Sequence, residues 1–595
     1  MFHNNLFGEN VFIFSPEDNQ EEIREALRHI DRIHRAGHFT KERCALLFHP
    51  GIYKDIEINV GFFTQVLGLG ILPSDTKLKR IQCTALWNPN GDKNEGLANF
   101  WRGAENLEIM EDTLWAVSQA SPMRRMLIDK NLYLHENGGY TSGGFLGDSI
   151  VRGFVDHGSQ QQWLTRNSSM DHIKTYGWNQ VFMGCEFKHR PTGAWPEIPV
   201  TILNTVTEIQ EKPFLIYDKY KGYGIFVPKL RKNSRGVSWA CGVSPAQDAS
   251  VRVPGRFIPI CDCYIAKPGI DSAASINEAL ACKKHLILTP GIYQFDEPLY
   301  ISQPDTIVLG LGLATISSVR GNACMVTANV PGIIVAGLLF DAGQTPANNL
   351  LIVGDRPQES KSQEHQTDAA LLPPGNQTFA PHYSLSSAPV VLCDLFFRVG
   401  GFPALSPSTA RNCVEINSSH VIGDHLWIWR ADHSHQVGWE KNTAQNGIII
   451  NGSDVTMYAL MVEHFLEYQT LWNGDYGRLY MYQSEMPYDA PCQDAWMSHS
   501  HTKNGYASLK VSEKVTHFES WCAGIYSYHR DAPVVCHSAV EVPDKENVVL
   551  HHTFDLHLNG HVGISHVINE AGNAVSEKHR AVKIITYKNG IYEEK

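Results

Sequence analysis

The chain has 595 residues, more than one hydrophobic core usually supports, so either several core-bearing units or a repeat architecture is expected. A hydrophobic fraction of 43% and a charged fraction of 19% are typical of a folded protein and exclude overall disorder. The 50 basic and 62 acidic residues give a net charge of −12, and no long Lys/Arg stripe occurs. Nucleic acid is therefore not an expected partner.

The N-terminal stretch has no basic segment followed by a long apolar one, and no run of about 18 apolar residues occurs anywhere. We therefore expect no membrane partner and a cytoplasmic location for the chain as it stands, or secretion if a signal has been removed. The thirteen cysteines lack paired zinc-type spacing and are expected to be mostly buried reduced thiols.

The 28 histidines form local clusters, the longest of which runs from His551 to His566. None of the clusters shows a recurring ligand spacing with a supporting carboxylate. We therefore predict no catalytic metal and no cofactor.

The first predicted element is an amphipathic helix around "EEIREAL" (Glu21 to Leu27), with a possible cap between Ser15 and Asp18. Its apolar residues at helical spacing are Ile23, Leu27, Ile30 and Ile33. Many strands of four to six residues follow, separated by Gly, Asn and Asp. A similar helix is predicted at "ASINEAL" (Ala274 to Leu280), again ahead of a long series of short strands.

The order of elements repeats along the chain. "ALLFHPGIYKD" (Ala45 to Asp55) returns as "HLILTPGIYQF" (His285 to Phe295), and "QVLGLGI" (Gln65 to Ile71) returns as "IVLGLGL" (Ile307 to Leu313). Both pairs are about 240 residues apart, and each follows one of the two predicted helices. Two homologous halves are therefore expected.

Short strands in regular succession without alternating long helices favour an all-β fold of two tandem right-handed parallel β-helices, each with a short capping helix. A pair of β-sandwiches is the alternative, and the lack of two-residue hairpin signals counts against it. We predict domains at 1–205 and 263–595, joined by a linker and exposed hairpin at 206–262. The stretch from Arg356 to Pro389 has the composition of a surface insertion and is either a lid or a mobile loop.

One carboxylate stands out in "YQSEMPY" (Tyr482 to Tyr488), where Glu485 has apolar and aromatic neighbours and no basic residue beside it. Burial in such company keeps a glutamate protonated, which suits a proton donor. Glu463 lies 22 residues upstream, about one coil of a β-helix, so the two would stack on one face. A pair of carboxylates is what glycoside hydrolysis requires. The alternative is that Glu485 lies on a solvated strand edge without a role.

Aromatic residues near these glutamates offer flat apolar faces on which pyranose rings can pack. They are Trp429, Tyr468, Trp472, Tyr482 and Tyr488. For any one of them, a place in the core is the alternative interpretation.

Several short blocks of the sequence resemble glycoside hydrolase family 55, the exo-acting β-1,3-glucanases or laminarinases, and the likeness is strongest to bacterial members. In the second half the blocks are "WIWRADH" (Trp427 to His433), "VEHFLEYQ" (Val462 to Gln469) and "YQSEMPYDAP" (Tyr482 to Pro491). In the first half they are "WAVSQASPMRR" (Trp115 to Arg125), "GGYTSGGFLGDS" (Gly138 to Ser149) and "SQQQWLTRN" (Ser159 to Asn167). The resemblance implies two tandem β-helices of the pectate-lyase type.

The resemblance also implies roles for particular residues. Glu485 would be the general acid of an inverting hydrolysis, and Glu463 the second carboxylate close to the water. Gln119 and Ser142 would help to hold the attacking water, which places the active site in the cleft between the two β-helices. The residues implied to bind the sugar are Asp432, Trp429, Tyr488, His433, Tyr140 and Gln162.

We therefore predict a glycoside hydrolase, exo-acting and inverting, whose partner is β-1,3-glucan or a related glucan or oligosaccharide. A polysaccharide lyase of the β-helix type is one alternative, but lyases need basic groups, and Arg478 is the only Arg or Lys between Glu463 and Glu485. A non-catalytic glycan-binding β-helix is the other alternative. Binding alone would not require an acid.

Overall fold

The computed structural model describes residues 2–4, 6–87, 94–240, 247, 249–355 and 388–595. The predicted insertion at 356–389 lies, apart from its last two residues, outside the described residues. The helices are α1 (Gln20–His34), the four-residue α2 (Ala249–Arg252) and α3 (Ala273–Ala281). Three-residue 3₁₀ turns lie at Pro73–Asp75, Ile260–Asp262 and Pro403–Leu405.

Helix α1 is capped by Asn19, whose side chain accepts hydrogen bonds from two backbone N–H groups of the first turn, at 2.9 and 3.4 Å. The predicted cap between Ser15 and Asp18 is therefore wrong. Those residues form the preceding turn, in which the Ser15 N–H donates to the Asp18 carboxylate at 2.7 Å. The predicted apolar stripe is buried except for its last member, Ile33, which is 45% exposed.

The first β-helix is built from short strands that wind around one core. Its strands are β1 (His3–Asn4), β2 (Gly8–Phe14), β3 (Cys44–Phe48), β4 (Gly51–Asn59), β5 (Thr64–Gly68), β6 (Thr76–Cys83), β7 (Leu86–Trp87), β8 (Asn94–Glu95), β9 (Arg102–Ile109), β10 (Thr113–Trp115), β11 (Met123–Ile128), β12 (Leu132–Tyr133), β13 (Gly144–Gly147), β14 (Ile150–Val151), β15 (Val155–Asp156), β16 (Gln162–Arg166), β17 (Ser169–Met170), β18 (Ile173–Thr175), β19 (Asn179–Met183), β20 (Glu186–Phe187) and β21 (Val200–Leu203). One face stacks β2, β3, β5, β9, β11, β13, β16, β19 and β21 as parallel neighbours.

Small antiparallel sheets follow the first β-helix. They consist of β22 (Val206–Ile209), β23 (Phe214–Asp218), β24 (Gly222–Pro228), β25 (Arg231–Ser234) and β26 (Gly255–Pro259). Strands β23 and β24 form the predicted hairpin. Its strands are not exposed as predicted, because Phe214 and Phe226 are buried and only the turn around Tyr220, 84% exposed, faces solvent. The domain boundaries stay a prediction.

The second β-helix is longer. Its strands are β27 (Cys263–Ala266), β28 (His285–Leu288), β29 (Ile292–Phe295), β30 (Leu299–Ile301), β31 (Ile307–Gly310), β32 (Thr315–Ser318), β33 (Met325–Thr327), β34 (Ile334–Asp341), β35 (Ala347–Val353), β36 (Val390–Val399), β37 (Ala410–Ile416), β38 (Val421–Arg430), β39 (Asn446–Ile450), β40 (Val455–Glu463), β41 (Thr470–Trp472), β42 (Gly477–Glu485), β43 (Met497–Ser498), β44 (Lys503–Asn504), β45 (Leu509–Val511), β46 (His517–His529), β47 (Cys536–Glu541), β48 (Asn547–Gly560), β49 (Ile564–Ile568), β50 (Ala581–Lys588) and β51 (Ile591–Glu594). One parallel face runs β27, β28, β31, β34, β36, β38, β40, β42, β46 and β48, and another runs β30, β33, β35, β37, β39, β41, β45, β47 and β49. The predicted pair of parallel β-helices is confirmed, and the β-sandwich alternative is wrong.

The repeated sequence blocks adopt the same local structure in both halves. The hydroxyl of Tyr53 shares its proton between two backbone carbonyls, that of Phe14 at the end of β2 at 2.9 Å and that of His49 at 3.1 Å. Tyr293 makes the same two bonds at 2.8 and 2.9 Å. A Cβ atom added to Gly51 or Gly291 would lie 2.5 or 2.3 Å from a proline ring carbon, so only glycine fits the turn. Each PGIY block thus forms the same corner of its own β-helix.

The two β-helices pack against each other through the faces of their sheets. Side chains alternate along a strand, so in β38 Leu426 and Ile428 enter the core of the second β-helix. Trp427 and Trp429 point the other way, into an apolar layer shared by both β-helices. Both predicted catalytic glutamates lie at the edge of this shared layer.

Candidate active site

Glu463 and Glu485 are the last residues of β40 and β42 and are paired in register on these adjacent parallel strands. The same row continues to Trp429 on β38. Adjacent strands lie about 4.8 Å apart, so the two glutamates occupy the same position in consecutive coils. The predicted stacking is confirmed. Glu463 is 3% and Glu485 7% exposed, so both are nearly closed off from bulk water.

Glu463 accepts two N–H hydrogen bonds, one on each carboxylate oxygen. The indole of Trp427 donates to Oε2 at 2.9 Å, and the side-chain amide of Gln119 donates to Oε1 at 2.9 Å. The hydroxyl of Ser142 in turn donates to the Gln119 amide oxygen at 3.0 Å. The structure thus brings Gln119 and Ser142 from the first β-helix to Glu463 on the second, as predicted.

Gln119 and Ser142 lie just before β11 and β13, at the same edge of neighbouring strands of the first β-helix. The backbone N–H of Ser142 donates to the hydroxyl of Ser118 at 3.0 Å, and that hydroxyl donates to the carbonyl of Gly96 at 2.8 Å. All the side chains of this group are buried. The amide and hydroxyl next to Glu463 are therefore held in fixed positions.

The other glutamate, Glu485, accepts a short hydrogen bond from the hydroxyl of Tyr488. Burial and the charge of Glu485 raise the pKa of Tyr488, which keeps this hydroxyl protonated and able to donate. The imidazole of His464 packs against the Tyr488 ring with 4.3 Å between centroids, and its charge would favour an ionised Glu485. Burial outweighs these effects and raises the pKa of Glu485.

Burial, followed by repulsion from Glu485, also raises the pKa of Glu463 well above that of a free glutamate. The two carboxyls titrate as a pair, which keeps a proton at a pH where free glutamates are ionised. Both oxygens of Glu463 already accept N–H bonds, which favour its ionised form. Among the described residues Glu485 accepts only one hydrogen bond, from Tyr488, so the hydrogen bonds favour the proton on Glu485, and its role as the general acid stays a prediction.

Removing the Tyr488 hydroxyl tests this assignment. The bond from Tyr488 stabilises ionised Glu485, so the Tyr488→Phe substitution should raise the pKa of Glu485 further. An acid works only while protonated, so activity is lost as pH rises through its pKa. We expect the basic limb of the kcat/KM profile to move up by about one pH unit.

The matched control for this substitution is Tyr528→Phe, because the Tyr528 ring packs against the Tyr488 ring with 4.8 Å between centroids. Among the described residues, Tyr528 makes no hydrogen bond to either glutamate. The basic limb of the kcat/KM profile of Tyr528→Phe should stay where it is in the wild type. A basic limb that stays in place, or moves down, in Tyr488→Phe would show that another group is the acid.

Three residues predicted to bind sugar lie together beyond Glu463. Trp429 is 1% exposed and stacks on Trp427 with 4.9 Å between ring centroids, so it packs in the shared apolar layer and its contact with sugar stays a prediction. Asp432 accepts a hydrogen bond from Nδ1 of His433 at 2.8 Å. Although burial raises the pKa of Asp432, this bond and the nearby charge of His464 hold it below its usual range. Asp432 is therefore ionised and able to accept hydrogen bonds from sugar hydroxyls.

The other two predicted sugar-binding residues belong to the first β-helix. Tyr140 precedes Ser142 in the same segment and is 50% exposed. Gln162 is fully buried, and its amide donates to the backbone carbonyl of Cys522 at 2.7 Å. This bond joins the two β-helices, so at least part of the role of Gln162 is in their docking.

The structure adds residues that the sequence did not single out. His38 and Phe39 follow helix α1, and Nε2 of His38 lies 3.1 Å from Nε2 of His433. The Phe39 ring packs near Trp429 with 6.0 Å between centroids. Burial lowers the pKa of His38 to about 2, so this imidazole is neutral. No motif marks these residues, because only the packing of the two β-helices brings them to the site.

A buried charge network lies behind Gln119. Arg124 of the first β-helix donates to both oxygens of Asp394, at 2.8 Å each, and to Asp424 at 2.7 Å. His425 lies between Asp394, 2.9 Å from its Nδ1, and the backbone carbonyl of Gln119, 2.8 Å from its Nε2. The network therefore connects the docking of the two β-helices to the position of Gln119.

The remaining sequence predictions concern thiols and membranes. In the part of the chain that the structure describes, every cysteine is a free thiol and eight are buried. No helix among those residues has the length and apolar character needed to cross a bilayer.

Comparison with known proteins agrees with the fold and identifies a β-helical carbohydrate-active enzyme. The family model of the LAM55 pectate lyase-like domain matches residues 263–485. The exo-beta-1,3-glucanase of Streptomyces sp. (strain SirexAA-E / ActE) is 37% identical over 575 residues, covering 96% of this chain and 87% of that protein. The chain therefore belongs to glycoside hydrolase family 55, as the sequence blocks predicted.

Solved structures lead to the same family. The structure of sacteLam55A from Streptomyces sp. SirexAA-E superimposes with a TM-score of 0.85 at 36% identity, covering 98% of both chains. A glutamate-to-alanine variant of that protein, in complex with glucose, matches equally well. These relatives make the chain a glycoside hydrolase and disfavour the alternatives of a lyase or a non-catalytic binder.

Proposed function

We propose that the protein is an exo-acting β-1,3-glucanase that inverts the anomeric configuration, with its active site where the two β-helices meet. The observation that carries the proposal is the hydrogen bond from Gln119 to Glu463 across the two β-helices, one coil away from Glu485. The name of the Streptomyces relative and the glucose complex of sacteLam55A support the choice of substrate.

In this mechanism Glu485 gives its proton to the glycosidic oxygen as the bond to the anomeric carbon breaks. Its burial and raised pKa keep the proton available at the start of the reaction. The leaving sugar departs as a neutral alcohol, and positive charge develops on the ring of the sugar being cleaved. Ionised Asp432 and the second carboxylate, Glu463, stabilise that charge.

A water molecule attacks the anomeric carbon from the opposite face. The Ser142 hydroxyl oxygen can accept a hydrogen bond from this water, and the second amide hydrogen of Gln119 can donate to it. Glu463 accepts a hydrogen bond from Gln119, to which Ser142 donates in turn, and we assign to Glu463 the proton of the water. After product release, proton exchange with solvent restores a protonated Glu485 and an ionised Glu463.

Inversion fits the surroundings of Glu463 better than retention. A retaining enzyme uses its second carboxylate as a nucleophile on the sugar. The Gln119 and Ser142 side chains beside Glu463 suit a bound water, which is the nucleophile of an inverting enzyme. Exo action fits the near-complete burial of the glutamates, which a chain end reaches more easily than the middle of a polymer.

Product analysis tests the proposal. Purified protein is incubated with laminari-oligosaccharides, and early products are followed by chromatography and by NMR that resolves the anomers. We expect α-glucose to form first, with oligosaccharides shortened one sugar at a time. Glucans with β-1,4 or β-1,6 linkages serve as matched substrates and should be cleaved more slowly.

Each other product would contradict one part of the proposal. Initial β-glucose would show retention, and fragments from the middle of the chain would show endo action. Faster cleavage of another linkage would reassign the glucan, and unsaturated products from uronate polymers would show a lyase.

A further inference from the structure

Two histidines and a glutamate converge at the C-terminal end of the second β-helix, on a different sheet from the catalytic glutamates. His537 lies on β47, His566 on the neighbouring strand β49, and Glu570 in the turn that follows. The imidazole centroids are 5.3 Å apart. Nε2 of His537 lies 3.5 Å from Oε1 of Glu570, and Nε2 of His566 lies 3.5 Å from Oε2. The three side chains therefore turn candidate ligand atoms toward one another.

The hydrogen bonds of the rings fix which nitrogen carries the proton. Nδ1 of His566 lies 3.3 Å from the carbonyl oxygen of Gly572, which can only accept, so Nδ1 carries the proton. The hydroxyl of Ser538 donates its one proton to the carbonyl of Asn569 at 2.7 Å. It must therefore accept the bond from Nδ1 of His537, also at 2.7 Å. In their neutral forms both histidines thus present an unprotonated Nε2.

Two unprotonated nitrogens and a carboxylate that point at one another repel, unless a proton or a cation lies between them. A divalent cation bound by both Nε2 atoms and the carboxylate would remove this repulsion. Metal-binding histidines commonly donate their second ring N–H to a carbonyl, hydroxyl or carboxylate oxygen, as both do here. Lys503 and Glu541 also lie near His537, and their charges have opposite signs.

We propose that His537, His566 and Glu570 bind one divalent transition-metal ion of the Zn²⁺ class. Two imidazole nitrogens and one carboxylate are a donor set that Zn²⁺ prefers, with water completing the coordination. The ion joins the last two coil strands of the sheet to the turn after them. It stabilises this end of the β-helix and takes no part in hydrolysis.

A second cluster, Asp171 with His172 and His189, already has hydrogen bonds between its imidazoles and its carboxylate. There the carboxylate lies 3.0 and 3.1 Å from the Nδ1 atoms, which can donate to it directly. Lys188 lies 3.6 Å from the same carboxylate and adds a positive charge. No lone pairs are left facing one another, so this cluster is the matched control.

The test is a titration of the chelator-treated full chain with Zn²⁺ alone, followed by calorimetry in competition with a chelator of known affinity. The variants are His537→Gln, His566→Gln and Glu570→Gln, beside the control His172→Gln/His189→Gln. Circular dichroism confirms that each is folded, and Glu570→Gln, at a 70% exposed side chain, keeps the test valid if a histidine variant fails to fold. Thermal unfolding is measured with and without Zn²⁺.

We expect one equivalent of Zn²⁺ to bind the wild type and the control and to raise their unfolding midpoints. The histidine variants should lose at least tenfold in affinity together with the rise in midpoint, and Glu570→Gln should show a smaller loss. Absence of one-to-one binding in the wild type would overturn the proposal. So would equal affinity in the site variants, or a loss confined to the control.

Discussion

Glu485→Gln should lower kcat/KM on laminari-oligosaccharides by about 10³-fold, since a positioned general acid contributes about 10² to 10⁴ in rate. Glutamine has nearly the same shape and can still accept the hydrogen bond from Tyr488, so the fold and KM should change little. The loss should therefore fall on kcat. Steady-state kinetics with circular dichroism of both proteins measures this.

The control is Glu519→Gln. Glu519 lies on the neighbouring strand β46, opposite Arg478 of β42 in the strand register. Arg478 lies near the start of β42, far along the strand from Glu485, so activity should stay within about twofold of the wild type. Aryl glucosides with an acidic leaving group need little protonation, and with them Glu485→Gln should lose much less activity. Equal losses on both substrates would show that Glu485 is not the proton donor.

Arg124→Met should lower the free energy of unfolding by about 3 kcal/mol, because buried Asp394 and Asp424 each lose a charged partner. The loss is limited because Asp394 keeps Lys212 and His425, and Asp424 keeps Arg166. The arginine is 2% exposed and bridges the two β-helices. The carboxylate oxygens that lose the guanidinium cannot be solvated without separating the packed faces. Denaturant unfolding, followed by tryptophan fluorescence and by activity, measures the effect. The variant should lose activity at a lower denaturant concentration than the wild type does.

Arg152→Met is the matched control, since Arg152 pairs with Asp129 on the surface of the same β-helix and its side chain is 51% exposed. Exposed ion pairs contribute about 0 to 1 kcal/mol, so this variant should unfold nearly as the wild type does. If the two variants lost the same stability, the buried network would not hold the β-helices together.

The repetitive part of the fold could be predicted from local sequence. The PGIY blocks and the apolar faces of the two helices depend on residues close in the chain, and both repeat in the structure. The 22-residue spacing of Glu463 and Glu485 sufficed to place them in register, because a β-helix turns a fixed separation into a stack. The roles of Gln119 and Ser142 came only from the family resemblance.

What local sequence could not show is the contact between the two β-helices. Arg124 and Asp394 are 270 positions apart in the chain, and His38 and His433 are 395 positions apart. No periodicity links such distant residues, since their proximity depends on how two separately formed sheets align. The actual cap of α1, Asn19, was missed for a simpler reason: several residues able to cap a helix precede it.

The bond between Gln119 and Glu463 joins residues 344 positions apart. At synthesis rates of about 5 to 20 residues per second, the ribosome needs roughly 20 to 70 seconds to add the second after the first. During that time the first β-helix has its apolar face uncovered, open to chaperones and to other nascent chains. Enzyme activity therefore appears only at the end of translation, and yield in a host cell depends on protecting a finished half until its partner exists.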